Sequence, residues 1–178
     1  MSSQLEIVKG DLLKAPEEYI LQQCNCLTVR AHGLSATLAS KYPWADPYGD
    51  RKGIGSRNLA VLEDRPHPGT IKICQGSPNV ICLFGQHRPG KFGVSYWNSY
   101  PESNPPESPS QRLFWFRQGL KEVGEAIRGF KRPDRVGIAL PYQIGCGLAG
   151  GEWEDYLRAL EVFAEEYREV LFLKVYKL

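Results

Sequence analysis

The segment richest in chemical content is Leu140-Pro-Tyr-Gln-Ile-Gly145-Cys-Gly147-Leu-Ala-Gly150-Gly-Glu-Trp153, a glycine-rich turn between an apolar run and a helix start. Glycines let a backbone approach a ligand closely and turn several N–H groups toward one point, and a helix N-terminus adds partial positive charge. The implied chemistry is binding of an anionic, phosphate-like group; a plain strand-to-helix turn is the structural alternative. Gly145, Gly147 and Gly150 fit G-x-G-x-x-G, but a dinucleotide-binding unit needs an acidic residue at the end of the next strand. The next strand ends Val175-Tyr-Lys-Leu178 and has none. No Walker lysine follows the glycines, which disfavours P-loop hydrolysis. Cys146 sits where a helix N-terminus could depress a thiol pKa, yet Gly147 to Trp153 supplies no arginine to close a phosphate loop.

The elements that must hold this turn are legible from periodicity. Leu5-Glu-Ile-Val-Lys9 and Ile71-Lys-Ile-Cys74 alternate, Tyr19 to Cys24 reads as a strand, and Val80 to Phe84, Val136 to Leu140 and Val170 to Val175 are apolar runs typical of strands covered on both faces. Leu113, Phe116, Leu120, Val123 and Ile127 recur at helical spacing, starting after Ser110 and stopping at Gly129. A second helix follows Gly151 with Trp153, Leu157, Leu160, Ala164 and Tyr167 as its apolar stripe, and a shorter one spans Leu34 to Lys41. This alternation predicts an α/β fold, a three-layer α/β/α sandwich around a mixed, largely parallel central sheet. Residues 42–68 and 87–109 lack periodicity and are either lids or surface insertions.

The chain has 178 residues, and 42% of them are hydrophobic, enough for one domain over 1–178 with an apolar core. A net charge of +2 supplies no basic stripe and argues against nucleic acid as a partner. No apolar run approaches the ~20 residues needed to span a bilayer, so no membrane partner is expected. Five cysteines, mostly in apolar runs, favour a reducing compartment, cytoplasmic or nuclear. Cys24 and Cys26 have no second Cys/His pair at zinc spacing, so neither a metal nor a cofactor is implied. Nothing argues for an oligomer, and a monomer is expected.

Val8-Lys-Gly10-Asp11-Leu12, Gln22-Gln-Cys-Asn25 and Leu140-Pro-Tyr-Gln-Ile-Gly-Cys-Gly147-Leu148, in that order and with the closing Phe172-Leu-Lys-Val-Tyr176, resemble a macrodomain. The closest-looking branch is that of the small single-domain members related to terminal ADP-ribose protein glycohydrolase and yeast ADP-ribose-1''-phosphate phosphatase. The resemblance implies an ADP-ribose cleft at the strand ends, with ADP-ribose, a derivative of it or an ADP-ribosylated protein as partner. Asp11 would accept from the adenine amino group, flanked by Gly10 and Leu12, although it could equally be a helix N-cap. Pro141, Gln143 and Ile144 would lead into the diphosphate cradle formed by the backbone of Gly145, Cys146, Gly147, Leu148 and Ala149. Tyr176 would pack on adenine or serve as a core tyrosine. Asn25 would face the distal ribose, and Ala31-His32-Gly33-Leu34 takes the place of the catalytic loop. There His32, a residue type that titrates near neutrality, suits general acid-base work.

Two positions depart from that branch. Gln86 and Ala149 stand where it carries a lysine and an acidic residue, and neither is a nucleophile or a base. Lys91 could enter the cleft only if its loop orders over it. The resulting expectation is an ADP-ribose-binding hydrolase acting at the distal-ribose terminus, with Asn25 and His32 as its catalytic residues. A non-catalytic reader of ADP-ribose and a mono-ADP-ribosyl-protein hydrolase are the alternatives.

Overall fold

The structure, a computed structural model, describes residues 4–146 and 149–178. Its strands are β1 (Leu5–Lys9), β2 (Tyr19–Asn25), β3 (Ile71–Cys74), β4 (Asn79–Gln86), β5 (Val136–Pro141) and β6 (Leu171–Lys177). They form one sheet in the order β1-β6-β5-β2-β4-β3. Neighbours run parallel except β3, which is antiparallel to β4. The mixed, largely parallel sheet read from the sequence is therefore present.

Alternate side chains of the strands feed two cores. Leu21, Ile81, Leu83 and Ile138 pack with Phe116, Leu120 and Val123 of the long helix α2 (Pro109–Gly129), and with Leu160 and Phe163 of α3 (Trp153–Glu166). On the opposite face Ile20, Val80, Cys82 and Phe84 pack with Leu38 of α1 (Leu34–Lys41), Leu12 and Tyr48. Covering both faces is what lets the central strands be continuously apolar.

Two details differ from the sequence reading. Helix α2 is capped by Ser108 rather than starting after Ser110: the Ser108 hydroxyl accepts from the Gln111 N–H at 3.0 Å, and Pro109 occupies the first turn. The buried stripe of α3 is Tyr156, Ala159, Leu160, Phe163 and Ala164, so the helix is rotated relative to the expected stripe. Aromatic packing sets the rotation. Tyr156 meets Phe116 at 4.7 Å between ring centroids, while Trp153 turns aside to pack on Tyr142 at 5.0 Å.

Candidate functional site

The C-terminal ends of β2 and β4 open into a cavity of about 770 Å³, at the strand ends where open α/β sheets hold their ligands. Asn25 closes β2, and its side chain builds the turn that follows. Its Oδ1 accepts from the N–H groups of Leu27 and Thr28, both at 2.9 Å, and its Nδ2 donates to Thr28 Oγ1 at 3.0 Å. Arg51, almost wholly buried, donates to the carbonyls of Thr28 at 2.8 Å and Asn25 at 3.0 Å, with its guanidinium 4.6 Å from the Tyr48 ring. Asn58 Oδ1 accepts from Val29 N–H at 2.9 Å and Arg30 N–H at 3.2 Å. The segment 25–30 is thus pinned by residues of the aperiodic stretch 42–68, and the pinning holds Arg30, Ala31 and His32 at the cavity wall. His32 is exposed and makes no hydrogen bond among the described residues. Gly33, at φ +60°, and Leu34 then begin α1.

Gln86, at the end of β4, borders the cavity but is spoken for. Its Nε2 donates to Arg88 O at 3.0 Å, and its Oε1 accepts from Gln23 Nε2 at 2.9 Å. The far wall comes from the second aperiodic stretch, 87–109, which is ordered as a lid carrying Lys91, Tyr96 and Tyr100 into the lining. Lys91 lies along the glycine turn: a Cβ at Gly150, whose φ is +75°, would come 2.6 Å from Lys91 Cγ. The described lining holds Arg30, His32 and Lys91 and not one Asp or Glu. Such a wall favours an anion.

Ala149 lies in that wall, while Pro141, Gln143, Ile144, Gly145 and Cys146 form the turn behind it. Gly145 (φ +77°) packs so closely on Tyr156 that a Cβ would fall 2.6 Å from the ring. The Cys146 N–H, expected in the phosphate cradle, instead donates to Gln143 O at 2.9 Å, because the turn closes on itself; Ile144 N–H likewise goes to Pro141 O at 3.2 Å. Gly147 and Leu148 lie outside the described residues. Burial, with Glu152 and Asp155 nearby, pushes the Cys146 thiol up to about 11. Alkylation of Cys146 by iodoacetamide is therefore expected to accelerate about tenfold per pH unit between pH 7 and 10, since only the thiolate reacts. A plateau below pH 9, followed by mass spectrometry of the Cys146 peptide, would contradict this environment.

No protein-family model matches the chain, and no curated protein does. Solved structures do. The macrodomain of Mycobacterium tuberculosis DarG superposes over 99% of each chain at 19% identity with a TM-score of 0.66, and that of Thermus aquaticus DarG over 98% of each chain at 19% and 0.65. The chain has the macrodomain fold. A third structure, Thermosipho africanus DarTG in complex with ADP-ribose, is 13% identical with a TM-score of 0.61, over 98% of this chain and 42% of that one.

Within this macrodomain fold the sequence-predicted residues fall into three groups, of which Gly33, Leu34, Pro141, Gln143, Ile144, Gly145 and Cys146 lie at the start of α1 and in the glycine turn without lining the cavity. Asn25, His32 and Ala149 line the cavity, together with Gln86 and Lys91. Gly10, Asp11, Leu12 and Tyr176 gather at the ends of β1 and β6, outside that lining. Asp11 is an N-cap: its Oδ1 accepts from Leu13 N–H at 2.9 Å. Leu12 is buried, Gly10 N–H donates to Lys177 O at 2.9 Å, and the Gly10 backbone lies against the Tyr176 ring. The Tyr176 hydroxyl donates to Glu17, and burial with that carboxylate pushes its pKa upward. Sequence reasoning missed Tyr48, Asn58, Glu107 and Arg112. Buried polar side chains in aperiodic segments or at a helix start leave no pattern to read; the one available signal is that the two aperiodic stretches are too long to be idle loops.

Proposed function

We propose that this protein binds ADP-ribose and hydrolyses its distal-ribose terminus, releasing phosphate from ADP-ribose-1''-phosphate. The observation that carries this reading is the cavity wall at the ends of β2 and β4, where Asn25, His32, Arg30 and Lys91 meet without a carboxylate. Arg30 and Lys91 hold the terminal phosphate, and Asn25, locked in its turn, orients the ribose. His32 takes a proton from the attacking water; the P–O bond to the ribose breaks, and the departing oxygen is protonated as ADP-ribose forms. The Asp11 carboxylate keeps Oδ2 for the adenine amino group while Oδ1 caps its turn.

The test is calorimetric titration of ADP-ribose into wild-type and Asp11→Ala protein, with phosphate release from ADP-ribose-1''-phosphate followed in the same samples. Saturable binding weakened in Asp11→Ala, with multiple turnovers in the wild type, is the expected result. The absence of binding at millimolar ADP-ribose would remove the reading altogether. A second reading, a non-catalytic reader, is favoured by the fully hydrogen-bonded Gln86 and by Ala149, which leave no nucleophile at those two positions. It predicts the same binding with no product.

A further inference from the structure

Glu107 and Arg112 do not line the cavity, yet their hydrogen bonds reach both segments that form its far wall. They make an ion pair at 2.7 Å with side chains 2% and 3% exposed. Glu107 accepts from His87 N–H at 2.9 Å and Arg88 N–H at 3.0 Å, so residue 107 is tied back to residues 87 and 88 and the two ends of the lid are held together. Trp97 fills its interior, 4.3 Å below the Arg88 guanidinium and 4.5 Å from the Phe92 ring. Arg112, in the first turns of α2, donates through Nη2 to Arg88 O at 3.1 Å and through Nη1 to Gly90 O at 2.8 Å and Ala149 O at 3.0 Å. The first two carbonyls belong to the lid and the third to the glycine turn. The planar fork of a guanidinium can serve acceptors on several sides at once, and an ammonium cannot reproduce that. Lys91 and Ala149, which face the cavity, each sit next to a carbonyl held by this one group.

We infer that Arg112 is a positioning residue that couples the lid to the glycine turn, so that the two walls order and open as one unit when the site takes its ligand. The inference rests on the proposed site for its functional meaning, while the coupling itself can be read without any ligand. Native-state hydrogen exchange supplies that reading through the His87 and Arg88 amides on the lid and the Gly151 amide, which bonds Gly145 O at 2.9 Å, on the turn. In the wild type these three amides are expected to share one opening equilibrium, lower than that of β4 and β5. Arg112→Lys is expected to raise exchange at Gly151 by the same factor as at His87 and Arg88, tenfold or more, with α3 and β6 unchanged. ADP-ribose should bind this variant about tenfold more weakly. Different wild-type opening equilibria for lid and turn would overturn the inference, as would exchange in the variant that rises on the lid alone or uniformly throughout the protein. If Arg112→Lys does not fold, the wild-type comparison decides by itself. Failure of the wild type to bind ADP-ribose would remove the functional reading and leave the exchange result standing.

Discussion

Replacing His32 by alanine is expected to lower phosphate release from ADP-ribose-1''-phosphate by about 10²–10⁴-fold, the usual worth of a positioned general acid-base group. The described lining offers no Asp or Glu to take over. The Asn25 and Gln86 amides are already engaged: Asn25 Oδ1 accepts from two backbone N–H groups, and both ends of the Gln86 amide are bonded. Arg30 and Lys91 are cations suited to holding phosphate rather than taking a proton from water. His32 alone combines a place in the lining, exposure and an imidazole free of hydrogen bonds among the described residues. Affinity for ADP-ribose, measured by calorimetry on the same preparation, should change far less than turnover, because the lost group acts chiefly on the reacting water. Turnover that survives in His32→Ala would eliminate the assigned chemistry while leaving the binding site in place.

The parts of the molecule visible in the sequence are those governed by periodicity. Among the described residues all six strands and all three α-helices announce themselves, since a strand buried on both faces must be apolar throughout and an amphipathic helix must repeat at three and four. Rotation of α3 was not visible, because Tyr156 and Phe163 compete with Trp153 and Leu157 for the inner face and only the position of Phe116 settles the contest. The site divides along the same line. Asn25 and His32 stand next to readable elements, and the structure carries both to the cavity wall. Arg51, Asn58, Glu107 and Arg112 are polar residues from aperiodic segments or a helix start, and their roles arise from carbonyls and amides 19 or more residues away, which one-dimensional spacing does not encode. The Cys146 N–H shows the converse. A glycine-rich turn advertises free donors, but once folded it consumes some of them itself.

Glu107→Ala is expected to be the most damaging single change to stability, at about 3–5 kcal/mol, because it strands the Arg112 charge in a dry environment. Surface ion pairs such as Arg128 with Glu125 contribute little, since water screens them. Here both side chains are nearly sealed from solvent, and the carboxylate also satisfies the His87 and Arg88 N–H groups, which alanine would leave unpaired. Against a typical total of about 5–15 kcal/mol, this loss should be plain in urea denaturation as a midpoint lowered by about 1–3 M. Removing the orphaned charge as well should restore part of the loss, so Glu107→Ala with Arg112→Met is expected to be more stable than Glu107→Ala alone. That ordering separates a charge effect from a packing defect: a cavity left by the glutamate side chain would make the double variant worse. A midpoint shift under about 0.3 M in the single variant would show that the pair, though buried, is not what holds the lid on the fold.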